Sequence, residues 1–249
     1  MMIFSASELE RYSKQILINN IGGTGQRKLK VSKVLVIGAG GLGSPVLTYL
    51  ASAGIGTIGI MDYDKVELSN LQRQFIHSVK TIGSNKAFSA RSYIDYLNPE
   101  INTEIYDYKI KEDNCDKIIF NYDMVIDASD NFKTRFIISD SCNRLKKPYI
   151  MGAVRSYEGQ VSTFVPYEEN KEFILNPRLR DLYSEENIQF DEIGCKEEGI
   201  LGVTTGLIGT LMATEAIKLI VGMGNILIGK LLLVDLLNMR FEEIKYRRK

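Results

Sequence analysis

Apolar positions fall in two rhythms along the chain. In residues 5–18, Leu9, Tyr12 and Ile16 recur at helical spacing, and Ser5/Glu8 and Ser7/Glu10 both fit a capping box, so a helix is expected. The GGTGQ run at 22–26 reads as a loop. Lys33–Ile37 (KVLVI) is a short run rich in β-branched residues, as in a buried strand. A glycine-rich turn follows at 38–43. Ser44 and Pro45 suit the start of a helix and Gly54 its end. Thr57–Met61 is a second strand, closed by Asp62. Ser84 can cap a helix running to about Leu97, stopped by Asn98-Pro99. Further strands are expected at 101–106, 123–127, 148–154, 160–165 and 230–236, and further helices at 134–145 and 207–221. Residues 166–199 are polar and acidic and read as a long excursion. The basic tail, 245–249, reads as a solvated terminus.

Strands alternating with helices over the first 150 residues predict an α/β fold. Its sheet should be Rossmann-like and mostly parallel, with helices on both faces. The C-terminal part should add mixed or antiparallel strands. No Pro-, Gly- or Ser-rich linker divides the chain, so 1–249 is read as one domain.

Composition narrows the class. The 249 residues are 45% hydrophobic and 25% charged, the balance of an ordinary globular protein. Lys+Arg and Asp+Glu are both 31, and this zero net charge argues against a general nucleic-acid binder. The three cysteines, 115, 142 and 195, form no CxxC pair, which fits a reducing cytoplasmic compartment. The N-terminus lacks the basic and apolar regions of a secretory signal. Residues 34–61 carry no charge and are long enough to span a membrane. Their seven glycines and Pro45 fit a buried strand–turn–helix–strand unit better.

The candidate chemistry begins at Gly38, Gly40, Gly41 and Gly43, between a strand and a helix. Missing Cβ atoms let the backbone approach a ligand, and the helix N-terminus offers free N–H groups to a phosphate. Asp62, 19 residues past Gly43, stands where a carboxylate would accept from a ribose. Alone, these features favour NAD or FAD. The next segment shifts the balance towards ATP. Residues 62–74 stay polar, with Asp64, Asn70, Arg73 and Gln74, and Lys86 opens the next helix. Arg73 and Lys86 read as a two-cation clamp for a triphosphate. Asp130, after the strand at 123–127, has the hard oxygen ligands that Mg²⁺ takes, or else is an Asx cap on the following helix, and Asn131 beside it is a further candidate nucleotide-binding residue. His77, the only histidine, is given a structural or surface role.

These motifs occur in order: RYSKQ (11–15), GAGGLG (38–43), DxDxVxxSNLxRQ (62–74), Lys86, DASDNxxxR (127–135), EGQ (158–160), and the stretch from Cys195 to Glu215 and Lys218. With them the chain resembles the ThiF/MoeB/HesA family, bacterial relatives of ubiquitin-activating enzymes, over about residues 8 to 245. The resemblance implies an ATP-dependent adenylyltransferase acting on the C-terminal glycine carboxylate of a ubiquitin-like sulfur-carrier protein, in thiamine or molybdopterin synthesis. Residues 1–150 would then form the nucleotide-binding half and 151–249 the carrier-binding half of a homodimer. The alternatives are a tRNA-modifying member of the superfamily, an NAD-dependent oxidoreductase, or a catalytically weak scaffold.

The chain departs from the family pattern in three places. Lys14 stands where the family usually has an arginine that reaches the partner subunit's phosphates. The two CxxC pairs that hold a structural zinc in many members are missing, so no zinc site is expected. Cys195 stands alone, as either a sulfur-transfer thiol or a loop cysteine. Cys115 and Cys142 read as packing residues.

Overall fold

The computed structural model describes residues 4–184 and 199–249. Its elements in chain order are α1 (Ala6–Arg11), α2 (Ser13–Ile16), α3 (Gly22–Val31), β1 (Lys33–Ile37), α4 (Gly43–Ala53), β2 (Thr57–Met61), α5 (Lys86–Leu97), β3 (Asn102–Tyr106), α6 (Glu112–Ile119), β4 (Met124–Asp127), α7 (Phe132–Arg144), β5 (Tyr149–Arg155), β6 (Glu158–Phe164), α8 (Leu179–Leu182), α9 (Gly202–Val221), β7 (Lys230–Asp235) and β8 (Arg240–Lys245). The strands form one sheet in the order β3-β2-β1-β4-β5-β6-β7-β8. The first five are parallel, and β6, β7 and β8 add on antiparallel.

The parallel strands read as unbroken apolar runs because both faces are covered. Val34 and Val36 of β1 face a core shared with α4, α5 and α9, where Leu47, Ile94 and Met212 are buried. Leu35 and Ile37 face the opposite core, with Ile119 of α6 and Phe136 of α7. Each such buried aliphatic side chain contributes about 1.5–3 kcal/mol through removal from water. α9 is long and apolar enough to cross a membrane by length and composition. It sits here against β5, β6, α3 and α4.

Four local expectations need correction. The 22–26 run is not a loop but the first half of α3. One of its glycines serves packing: a Cβ on Gly25 would lie 3.1 Å from both Ile21 and Val221. The N-terminal helix is broken at Tyr12 (φ −94°, ψ 6°), and only the Ser5/Glu8 capping box forms at its start. α5 is capped by Asn85 rather than Ser84, its side chain accepting from the Ala87 and Phe88 N–H groups. The C-terminal tail is docked, not solvated. Tyr246 Oη lies 2.7 Å from Ser162 Oγ, and Arg248 donates to the Pro166 carbonyl at 3.2 Å.

Candidate functional site

In an open parallel sheet, ligands bind beyond the strand ends where the strand order reverses. Here β1 lies between β2 and β4, so that crevice opens at the turn after β1 and the loop after β4. The two touch. Gly38 has φ +101°, and a Cβ there would lie 2.6 Å from the Ala128 carbonyl oxygen. Gly43 is equally constrained, its missing Cβ only 2.0 Å from the Gly38 oxygen. A Cβ on Gly41 would come within 3.0 Å of Thr205 on α9. Gly40 differs: its nearest neighbour would be Gln74 Nε2 at 3.5 Å, an ordinary contact. The fold explains three of the four glycines, and at Gly40 a Cβ would meet only the Gln74 side chain at ordinary contact distance.

Asp62 ends β2 and reaches back to this turn. Its Oδ2 accepts from the Ala39 N–H at 2.8 Å and its Oδ1 from the Asp64 N–H at 2.9 Å. Burial pushes its carboxyl above the usual range, against the pull of these two N–H groups and of Lys86. It remains partly exposed, with lone pairs left for a ribose hydroxyl.

Lys86 is the first residue of α5 and is 8% exposed, so it is not a solvated surface charge. Among the described residues its ammonium has one long ion pair, 3.5 Å to Asp64. A buried ammonium with a single distant partner has donors to spare for an anion. Arg73 is half-buried and donates to the Ser69 carbonyl at 3.2 Å. Next to it, buried Gln74 extends to Gly40, and its Oε1 has no partner among the described residues. Asn70 is spent locally, its Oδ1 accepting from the Glu67 N–H at 3.1 Å.

Beyond β4 the loop is held from below. Asp127 is fully buried, accepting from Tyr149 Oη at 2.6 Å and from the Ser129 N–H at 2.9 Å. Buried Arg135 donates to the Ser129 carbonyl at 2.7 Å and lies over the Phe132 ring. Asn131 caps α7 through the Thr134 N–H at 2.9 Å. The capping role thus falls to Asn131, and Asp130 is left exposed, its one hydrogen bond among the described residues coming from the Asn131 amide at 3.3 Å. Ser129 Oγ and Arg135 Nε are buried without partners among the described residues. Partnerless polar atoms on both sides of one crevice fit a polar ligand.

Lys14 is elsewhere. Arg11 donates to the Leu97 carbonyl at 3.0 Å, Tyr12 Oη accepts from Asn98 at 2.9 Å, and Gln15 donates to the Ala53 carbonyl at 3.0 Å. These contacts hold RYSKQ at the C-terminal end of α4, whose N-terminal end is at the glycine turn. Eleven helical residues separate the two ends, about 16 Å at the usual rise. Lys14 is exposed there and does not line the crevice of its own chain. Cys195 lies outside the described residues.

Residues outside the candidate nucleotide set also appear, and of the two roles open to His77 the structure shows the structural one. His77 is buried between Ser89 and the Ala39 carbonyl, and Arg135 was quoted only as part of a motif. Glu215 and Lys218 form a structural ion pair; Glu215 also accepts from Thr163 Oγ1 and the Leu227 N–H, both at 2.8 Å. Burial pushes the Cys115 thiol up to about 11 and the Cys142 thiol well above its ordinary value, so both are packing residues.

The sequence profile described as the ThiF family matches residues 12–249. A probable adenylyltransferase/sulfurtransferase MoeZ of Mycobacterium tuberculosis is 43% identical over 98% of the chain, and the chain spans 62% of that protein's length. A sulfur carrier protein adenylyltransferase of Thermus thermophilus is 38% identical over 99% of the chain and 90% of its own. Among solved structures, E. coli MccB with ATP superposes with a TM-score of 0.83 at 23% identity, over 96% of this chain and 72% of that one. That likeness shows the same fold. By profile and by sequence identity, the chain belongs to the ThiF family.

Proposed function

We propose that this protein is an ATP-dependent adenylyltransferase for the C-terminal glycine carboxylate of a ubiquitin-like sulfur-carrier protein. The observation that carries the reading is the crevice itself. A Cβ on Gly40 would meet only the Gln74 side chain at 3.5 Å, and among the described residues buried Lys86 has a single long ion pair and Gln74 Oε1 no partner, all beside a ribose-ready Asp62. The names of relatives as adenylyltransferases support the same chemistry.

The reaction asks for positioning and charge neutralisation. The carrier's carboxylate is already ionised and attacks the α-phosphate of ATP; the α–β bridging bond breaks and pyrophosphate leaves with the electron pair. No proton need move, so a site without a free histidine suffices. Asp62 would orient the ribose, the Gly40 and Gly41 N–H groups the phosphates, and Arg73 and Lys86 the charge on pyrophosphate. Asp130, exposed and unspent, would hold Mg²⁺, which neutralises phosphate charge when bound. Lys14 would complete the site of a second copy in a homodimer. Cys195 would act, if in sulfur transfer, only after adenylation. The pathway served is proposed to be molybdopterin or thiamine synthesis, in the cytoplasm, with no zinc required.

Carrier-dependent ATP–pyrophosphate exchange tests this. Arg73→Ala and Asp130→Ala should each lower the exchange rate at least about a hundredfold, the cost of one lost transition-state charge contact. Cys195→Ala should leave it nearly intact. Unchanged exchange on loss of Arg73 would refute the phosphate-clamp assignment.

A further inference from the structure

The peptide units around Ala39 are gripped on both sides. The Ala39 N–H donates to Asp62 at 2.8 Å, and the Ala39 carbonyl oxygen lies 2.9 Å from His77 Nε2. A carbonyl only accepts, so Nε2 carries a proton. On the other side of the ring, Nδ1 lies 2.8 Å from Ser89 Oγ on α5. The imidazole is 6% exposed and bridges α5 to the glycine turn.

We infer that His77 is a positioning residue for the nucleotide: by holding the Ala39 carbonyl inward, it aims the Gly40 N–H outward at the phosphates. The geometry follows from the planar trans peptide, in which the C=O of one residue and the N–H of the next point in opposite directions. No peptide bond in the described chain is cis. The Gly40 N–H takes no partner among the described residues, and a Cβ on Gly40 would meet only the Gln74 side chain, at 3.5 Å. Burial, and the nearby Lys86 charge, push the imidazole below its ordinary pKa and so favour the neutral ring. In the neutral ring with Nε2 protonated, Nδ1 is an acceptor and the Ser89 hydroxyl donates to it. The orientation of the ring is thereby set from both ends. His77 touches no substrate atom; it acts through the backbone.

This rests on the adenylyltransferase reading, and the experiment separates the two. His77 is the only histidine in the chain, so ¹⁵N-histidine spectra of the intact protein report one ring. The expected spectrum is a neutral ring protonated on Nε2 at pH 7. His77→Ala should raise the KM for ATP by about tenfold, the loss expected when one oriented phosphate donor is released. The kcat and the KM for the carrier should change little. His77→Gln can donate to the Ala39 carbonyl from its amide and should recover most of the loss. Should His77→Ala fail to fold, Ser89→Ala, which frees the ring's orientation, should raise the ATP KM more modestly while leaving the carrier KM alone. A ring protonated on Nδ1 in the wild type, or folded His77→Ala with an unchanged ATP KM, overturns the inference alone. Wild-type protein that binds no ATP overturns the adenylyltransferase reading along with it.

Discussion

The Tyr12 ring fills the space that a side chain on Gly54 would need: a Cβ there would lie 2.6 Å from Tyr12 Cζ. Gly54 closes α4 in the left-handed region, at φ +86°. The pair seats the N-terminal helices at the end of α4 remote from the glycine turn.

Gly54→Ala should destabilise the protein by about 2 kcal/mol or more, because the backbone conformation and the aromatic contact both oppose it. A urea unfolding midpoint is the measurement. An unchanged midpoint would mean that Tyr12 moves aside without cost.

The remote position of Lys14 makes a prediction about mixed subunits. Lys14→Ala and Arg73→Ala proteins should each be weak in pyrophosphate exchange. Mixed and allowed to re-equilibrate, they should regain up to about a quarter of wild-type activity, since half the dimers of a symmetric pair then hold one complete site. No recovery, with exchange of subunits demonstrated, would rule out a shared site.

The Arg144 guanidinium donates to Asp116 at 2.8 Å and holds that carboxyl below its ordinary 3.8. A lowered carboxylate pKa stabilises the fold above pH 3.8 and ceases to do so as the pH falls through the lowered value. Both groups are about half exposed, so Arg144→Ala should cost under about 1 kcal/mol near neutral pH. The gap between wild type and variant in thermal melts should close on acidification. A gap that widened in acid would reverse the assignment.

Cys115 and Cys142 are buried thiols with raised pKa values, so neither should react with a thiol reagent at pH 8 until the protein unfolds. Cys195→Ala should therefore leave no fast-reacting thiol. A persistent fast thiol in that variant would show that one of the two helices opens readily.

The elements legible in the sequence were those whose residues carry the instruction locally. β1 and β2 fall where five-residue β-branched runs are bounded by turn residues, and α4 ends at the glycine that has to be left-handed. α3 was not legible, because its three glycines oppose a helix and only the distant Val221 and the adjoining Ile21 explain Gly25. β8 alternates too weakly, with Glu242 and Glu243 side by side at a sheet edge. Around the crevice, the positions of Asp62, Lys86 and Asp130 could be read from motif spacing. His77, Ser89 and Arg135 could not, since their roles exist only where β1, β4, α5 and α7 converge.

The protein's own packing accounts for Gly38, Gly41 and Gly43 but not for Gly40. Alleles of this turn should therefore differ in kind. At 38 or 43, substitution removes the protein and its activity together, through misfolding and turnover. Gly40→Ala would instead leave a chain that accumulates at normal abundance and pairs with intact subunits, yet admits no nucleotide to its own crevice. Such a chain would still lend its Lys14 to an intact partner, so in a cell carrying both copies the allele would be complemented within the mixed dimer rather than poison it.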